Sequence, residues 1–415
     1  MKILFVHQNF PAQYMHLAPA LAAKGHEVVA LSIRPAPEMP GVKILRYHVK
    51  RGTTAGVHPW ASEFETKVLR GEAAGRAAVD LRKQGFTPDI ICAHPAWGEA
   101  LFLKDVWPQA KLLCFWEFYY HTKNSDVNFD PEFMDVSFDN DARMRAKNAN
   151  NLLSLEAADW GVSPTRWQQL QFPEWARSRI SVIHDGIDTQ IAAPNPSARI
   201  RLEELGVELK PGDEVVTFVN RMLEPYRGYH VFMRSLPELQ RLRPRARILI
   251  VGGEGTSYGA QPPEGQSWKK IFLEEVAKDL DLSRVHFVGH VPYASFLRIL
   301  QISAAHVYLT YPFVLSWSLL EALSAGCAVI GSRTPPVEEV IRHGENGLLV
   351  DFFDHMSLAE TIATVLADGP AYSSMRAQAR ADVIKRYDLQ TVCLPRHIAL
   401  VEALARGDAP MGIDL

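Results

Sequence analysis

Twice along the chain a short apolar run ends in a polar loop, passes into a stretch with helical spacing and returns to an apolar run. The series breaks at Pro194-Asn195-Pro196 and starts again. This alternation leaves few folds open, because each apolar strand must have its faces covered by the helices beside it, and a doubly wound parallel sheet does so. The first series opens with Ile3 to His7, then Leu17, Ala18, Leu21 and Ala22 spaced as a helix up to Gly25, then Val28 to Ser32. Further strands are expected at Gly41 to Tyr47, Asp89 to Cys92, Lys111 to Trp116, Trp160 to Ser163 and Ile180 to Ile183, with helices at Glu63 to Gln84 and Asn148 to Ala158. Proline can continue neither a helix nor a central strand, so the Pro-Asn-Pro segment reads as a connection. Beyond it, strands expected at Val215 to Val219, Ala246 to Val251, Val285 to Val288, Ala305 to Leu309, Ala328 to Gly331 and Gly347 to Val350 alternate with helices. Two α/β halves of similar length imply a cleft, with boundaries set at 1–192 and 193–387 and a helical tail over 388–415.

The 415 residues exceed the ~100 to 200 of one typical domain, so two such halves fit. Lys and Arg number 44 against 47 Asp and Glu, which removes the basic surface that sequence-independent nucleic-acid binding needs. Cys92, Cys114, Cys327 and Cys393 are far apart and form no Cys-x-x-Cys pair, arguing against a disulfide framework or zinc knuckle and for a reducing compartment. The Ile3-to-Val6 run is too short for a signal-peptide core, and no stretch approaches the ~20 apolar residues of a membrane span. A cytoplasmic protein is expected, with room for peripheral contact at the inner membrane face.

Four short segments of the second half carry chemistry. Asn220-Arg221 and Arg227-Gly228 follow a strand and precede a helix; two guanidiniums there can converge on one diphosphate, although two solvated surface arginines are the plainer alternative. Phe313-Val314-Leu315-Ser316-Trp317-Ser318 leads from a strand into a helix that Ser316 or Ser318 can cap, and first-turn amides favour an anion. Glu321, about one turn inside, can accept bonds from a vicinal diol or stand as an ordinary helix-face glutamate. Gly252-Gly253 and Gly289-His290 each end a strand, where a ligand or a tight turn can use the missing side chain.

In the first half, Gln8-Asn9-Phe10-Pro11-Ala12-Gln13, Ala93-His94-Pro95 and Trp116-Glu117-Phe118-Tyr119-Tyr120-His121 each follow a strand. Rings stack on the C–H faces of a sugar while Glu and His bind its hydroxyls; a packed aromatic layer with solvated polar tips is the alternative. Val127 to Asp141 is acidic and reads as a loop. Asp139-Asn140-Asp141 has the Asp-x-Asp spacing of metal-dependent transferases, a three-residue match that chance often supplies. Arg143, Arg145 and Lys147 form a modest basic face or a solvated helix start.

Taken in order, these pieces resemble glycosyltransferase family four with its GT-B fold, two facing Rossmann-like domains. The resemblance also rests on His184-Asp185-Gly186-Ile187-Asp188, Gly252-Gly253-Glu254-Gly255, Val288-Gly289 and Leu320-Glu321-Ala322. It is nearer to a bacterial subgroup with the Gln-Asn-Phe-Pro and Pro-Phe-Val-Leu-Ser-Trp-Ser segments. It implies that 1–192 binds acceptor, that 193–387 binds a nucleotide sugar and that the 388–415 helix returns to the first domain. It further implies that Arg221 and Arg227 hold the donor diphosphate and that Glu321 binds the donor ribose. Asn220, Gly253, His290 and the stretch Phe313, Val314, Leu315, Ser316, Trp317 and Ser318 are expected to line the donor side. Asn9, Phe10, Gln13, His94, Glu117, Tyr120 and His121 are expected on the acceptor side.

The family's paired Glu motif is incomplete: counting back from Glu321 reaches Phe313, not a glutamate. The expected consequence is a sugar pocket with an apolar wall, suited to a deoxy or otherwise modified hexose. The implied reaction is retaining hexosyl transfer from a nucleotide diphosphate sugar to a glycan, lipid-linked or small-molecule hydroxyl, in bacterial polysaccharide or glycoconjugate biosynthesis. No cofactor and no metal are expected, since Arg and helix amides stabilise the leaving diphosphate. A sugar-nucleotide epimerase using Glu117, His94 and His121, or a non-catalytic nucleotide-sugar-binding partner, are the competing readings.

Overall fold

The computed structural model describes residues 1–202, 206–408 and 410. The end of the expected 388–415 tail, 409 and 411–415, lies outside them. Seven strands of the first series are β1 (Lys2–Val6), β2 (Glu27–Ser32), β3 (Val42–Arg46), β4 (Ile90–Ala93), β5 (Lys111–Phe115), β6 (Trp160–Ser163) and β7 (Ile180–Val182). They form one parallel sheet in the order β3-β2-β1-β4-β5-β6-β7. The two faces of β1 explain its apolar run. Leu4 and Val6 enter one core with Leu103 and Trp107, while Ile3 and Phe5 enter another with Leu21, Leu400 and Val401.

A short antiparallel pair, β8 (Ile200–Leu202) and β9 (Val207–Leu209), precedes the second series. That series is β10 (Val215–Met222), β11 (Arg247–Gly253), β12 (Val285–Gly289), β13 (Ala305–Tyr308), β14 (Val329–Ser332) and β15 (Leu348–Val350). These six are parallel in the order β12-β11-β10-β13-β14-β15. Both sheets therefore reverse their winding once, at β1/β4 and at β10/β13. In an open α/β sheet, ligands collect beyond the strand ends at such reversals.

Three expectations change. The compact units are Met1–Asn128 with Met134–Gly186 and Gln390–Leu415, and Phe129–Phe133 with Ile187–Leu389. The expected boundary at 192/193 moves to 186/187 because the Ile187 amide donates to the Tyr387 carbonyl at 2.8 Å and the Leu389 amide to the Ile187 carbonyl at 2.9 Å. Asp388 stays with this unit by accepting from Thr189 Oγ1. Beyond it, the helix Leu394–Arg406 buries His397, Leu400, Val401 and Leu404, an i, i+3, i+4, i+7 stripe, in the first unit.

The acidic stretch is the second change. It is not a loop throughout, because Phe138–Lys147 is a helix. Ser137 caps it, its side chain accepting from the Asn140 amide at 3.2 Å, and Asp139 and Asp141 sit in the first turn, where the helix dipole favours carboxylates. The Asp-x-Asp spacing is thereby accounted for as a helix start. Third, β10 runs on through Asn220 and Arg221 to Met222, with a register shift between Val219 and Met222. Among the described residues no helix is long and apolar enough to cross a membrane.

Candidate active site

At the β10/β13 reversal the second unit assembles its charged groups. Pro225 opens a single helical turn, Pro225–Arg227, and Gly228 follows with φ of 68°, a left-handed conformation that a side chain disfavours. A Cβ at Gly228 would also strike Leu309, so glycine alone lets this turn lie against the end of β13. Arg227 is consequently buried, 7% exposed, whereas Arg221 is exposed. Arg227 Nη1 donates to Thr310 Oγ1 at 2.9 Å and to the Val314 carbonyl at 3.0 Å. Its guanidinium lies 5.4 Å from the Tyr258 ring centroid and 5.6 Å from that of Phe313.

Aromatic rings surround it. Tyr226 packs 4.7 Å from Tyr311 and 5.3 Å from Phe313, and Tyr258 packs 4.8 Å from Phe313. Glu224 organises the Tyr258 loop from below. Its buried carboxylate accepts from the amides of Ser257 and Tyr258 at 2.8 and 3.0 Å. Burial raises the Glu224 pKa, and those two amides with Arg227 and Arg221 oppose the rise.

The helix Trp317–Ser324 begins beside this cluster. Ser316 is its N-cap, with its own amide held by the Tyr308 hydroxyl at 2.8 Å and its hydroxyl 2.9 Å from that of Ser318. Leu315 is buried, Val314, Ser316 and Ser318 are partly so, and Trp317 is exposed. Glu321, 8% exposed, accepts from the Tyr293 hydroxyl at 2.8 Å. Burial raises its pKa, with the Tyr293 bond opposing. Gly253 ends β11 so close to His290 that a Cβ there would meet the His290 Nε2, and the ring itself is exposed.

In the first unit, the β1/β4 reversal brings together part of the expected acceptor set. The Asn9 amide donates to His7 Nδ1 at 2.9 Å, and the His7 and His94 rings meet edge-on at 5.1 Å. His94 is buried, its Nδ1 accepting from the Ala96 amide at 3.4 Å and its Nε2 standing 3.5 Å from a Glu117 oxygen. Asn9 Oδ1, Gln13 Oε1 and His94 Nε2 are buried polar atoms without a hydrogen-bond partner among the described residues. Burial drives the His7 pKa down to about 3, aided by His94, so its ring is neutral.

The other expected acceptor residues are placed elsewhere. Phe10 is 1% exposed and packs against Phe5 in the core, so it offers a ligand no surface. The His121 Nε2 donates to the Gln171 carbonyl at 2.7 Å, a structural tie. The Tyr120 backbone amide donates to Asn148 Oδ1 at 3.0 Å, its carbonyl accepts from Asn148 Nδ2 at 2.7 Å, and Lys147 lies over its ring at 4.1 Å. Glu224, Tyr226, Tyr258, Tyr293 and Thr310 had no local signal, since each joins the site by a contact distant in sequence.

The segment Phe129–Phe133 belongs to the second unit. Asp130 accepts from the Tyr311 hydroxyl at 2.6 Å and lies 3.0 Å from His230 Nε2. Burial opposes its ionisation, but these bonds outweigh burial and hold it below the usual aspartate range. Asp130, Glu132 and His230 have ligand-type atoms within 4.8 Å of one another. Glu132, however, takes two nitrogens of Arg234 at 2.7 and 2.9 Å, so partners within the chain already engage the group.

Two family models divide the sequence between them. The glycosyl transferase family 4 group matches residues 24–192, and the glycosyl transferases group 1 matches residues 202–382. The chain belongs to the family 4 glycosyltransferases. This glycosyltransferase is 26% identical to a glycogen synthase of Mycobacterium tuberculosis over 94% of its own length and 92% of that protein's. A D-inositol 3-phosphate glycosyltransferase of Corynebacterium efficiens is 31% identical over 46% of this chain and 43% of that protein. In fold, it is similar to the sucrose-phosphate synthase of Thermosynechococcus elongatus, with a TM-score of 0.75 at 18% identity, covering 98% and 100% of the two chains. It is also similar to Anabaena HepE, solved in complex with UDP and glucose, with a TM-score of 0.68 at 18% identity over 98% and 100%. The two-sheet GT-B architecture is thus shared across the full length.

Proposed function

We propose that this glycosyltransferase moves a hexose-type unit from a nucleoside diphosphate sugar to a hydroxyl acceptor, with retention and without a divalent metal. The observation that carries the reading is the combination at β10/β13 of a buried Arg227, a capped helix N-terminus and a buried Glu321. A diphosphate leaving group develops charge in the transition state, and preorganised cationic and amide donors are what stabilise it. Arg221 and Arg227 would take its oxygens, the Ser316-to-Ser318 turn would add amide and hydroxyl donors, and Glu321 would accept from the ribose diol. Asn220, Gly253 and His290 would edge the nucleotide.

In a front-side displacement the bond from the anomeric carbon to phosphate oxygen breaks, and the acceptor oxygen bonds on the same face. The acceptor proton passes to the departing phosphate oxygen, so no enzymic nucleophile is needed. Phe313, where the family's first motif glutamate would fall, stands with Tyr226 and Tyr258 as an apolar wall. That supports a deoxy or otherwise modified hexose. Asn9, Gln13, His94 and Glu117 would serve the acceptor, a glycan, lipid-linked or small molecule in polysaccharide or glycoconjugate biosynthesis on the cytoplasmic side.

A thermal-shift panel of UDP, GDP, dTDP, CMP and ADP, each with and without EDTA, tests the donor reading. One nucleotide diphosphate should raise the melting temperature selectively and equally with EDTA. No shift with any of them, or a shift abolished by EDTA, refutes it. Incubating donor alone separates transfer from epimerisation, because an epimerase would yield a second sugar nucleotide.

A further inference from the structure

Away from both sheet reversals, the first unit carries a groove of about 680 Å³ between the chain leaving edge strand β3 and one face of the helix Pro59–Lys83. Arg46, Lys50 and Arg51 line one wall, and Arg76 and Lys83 the other; the only carboxylates in the lining are Glu72 and Asp80. This local excess of positive charge sits on a chain whose formal net charge is -3. Leu69, Glu72, Arg76, Asp80 and Lys83 recur every three or four residues, which places them on one helix face.

Arg51 pairs with Glu65 at 3.6 Å, and the other four cations are only loosely committed. Arg76 pairs with Glu72 at 2.7 Å and Lys83 with Asp80 at 3.4 Å, exposed helix pairs that solvent screens strongly. Arg46 donates at 3.4 Å to the Ile33 carbonyl, and Lys50 has no ion pair among the described residues. The wall bearing them is nonetheless fixed. Arg51 donates to Thr54 Oγ1 at 3.1 Å, Thr54 donates its amide to Glu65 at 3.0 Å, and Thr53 meets Thr66 at 3.0 Å, buttoning the loop to the helix. A preordered cationic wall binds an anion with less ordering cost than a mobile one.

The floor is chemically consistent with this. Tyr47 lines the groove, and its hydroxyl donates at 3.1 Å to Glu99, which is fully buried and has a second carboxyl oxygen without a hydrogen-bond partner among the described residues. Burial pushes the Glu99 pKa up, opposed by a backbone bond, the Tyr47 bond and the nearby His94 and Arg70 charges.

We propose that this groove is an anion site for a phosphate group, carried either by a small phosphorylated ligand or by a lipid headgroup. A volume of this size admits a sugar phosphate, and Arg and Lys heads on both walls are placed to bond its oxygens. The site is separate from the donor-binding residues and does not depend on their assignment.

The full chain is titrated with inorganic phosphate and with a hexose 6-phosphate by calorimetry, and sedimented with phosphatidylcholine vesicles containing phosphatidylglycerol. Saturable binding in either arm, weakened at least tenfold in the Lys50→Glu, Arg76→Glu double variant and by added salt, supports the site. The arm that binds identifies the source of the phosphate. Equal binding by the variant, or no binding in any arm, overturns it. Lys50→Gln with Arg76→Gln gives the same reading should charge reversal disturb folding, which a urea midpoint monitors. The nucleotide thermal shift of the same variants should stay at the wild-type value, so that failure of the groove and failure of the donor site are told apart.

Discussion

Replacing Arg227 separates the two things a buried guanidinium does here. Its Nη1 joins the end of β13 to the loop that follows, through Thr310 and the Val314 carbonyl at 2.9 and 3.0 Å, and two rings flank it. A hydrogen bond from a charged donor contributes ~1.5 to 3 kcal/mol, and a cation–π contact ~0.5 to 1 kcal/mol or more when desolvated. Arg227→Ala removes all of these and leaves the Val314 carbonyl to find water; contributions sharing one side chain overlap, so a loss of about 3 to 5 kcal/mol of stability is expected, below their simple sum. A urea titration followed by tryptophan fluorescence reads it. If the proposed diphosphate contact is correct, donor turnover falls a further ~10² to 10³-fold, the usual loss on deleting a donor to developing charge. Arg227→Gln keeps hydrogen-bonding capacity without charge, whereas Arg227→Lys keeps charge without the planar fork. Lysine should therefore recover stability only in part, yet exceed glutamine in turnover. An alanine variant with an unshifted urea midpoint and wild-type turnover would refute both roles, and glutamine matching wild type would refute the electrostatic one.

Glu321→Gln should weaken nucleotide binding about 10 to 100-fold by calorimetry, the worth of one charge-assisted bond; unchanged affinity would remove Glu321 from the ribose site. Because burial raises its pKa and only the ionised carboxylate accepts from both diol hydroxyls, wild-type affinity should climb with pH through a point above the ordinary glutamate value, and Tyr293→Phe should move that point upward. Gly228→Ala combines a left-handed backbone with a clash on Leu309 and should cost about 1 to 3 kcal/mol, read as a lower melting temperature; a neutral result would mean that the turn relaxes freely. His7, His184 and His306 are held by burial at about 3, and His397 at about 4 by burial against its bond to His184. The unfolded chain therefore binds protons that the fold refuses, so stability is present above about pH 6.5 and declines below it by up to ~1.4 kcal/mol per pH unit for each ring. A urea midpoint unchanged down to about pH 5 would contradict this burial.

Much of the candidate site in the second unit is legible in the sequence because its signals are local. Arg227-Gly228 is a turn by glycine chemistry, Ser316 is a cap by its place before a helix, and Glu321 falls one turn inside by counting. The cluster at the β1/β4 reversal is less legible. Asn9, Gln13, His94 and Glu117 lie at strand ends as expected, but Phe10 turned into the core and His121 onto the Gln171 carbonyl. A sequence motif names the residue at a strand end and is silent on the direction of its side chain, which neighbouring layers decide by packing.

What the chain determined by itself is its rhythm: apolar strands, amphipathic helices, the glycine stops and the proline break that divide it into two α/β series. Such features follow from backbone sterics and from burial patterns repeating over a few residues. Only tertiary structure decided that Arg227 meets Thr310, 83 positions on, that Tyr293 meets Glu321 across 28, and that Asp130 meets Tyr311 across 181. It also moved the domain boundary to Gly186, where residues near Ile187 bond to those near Asp388. These pairings are chosen by which sheet edges and loops the folded layers bring together, and no local periodicity encodes that choice.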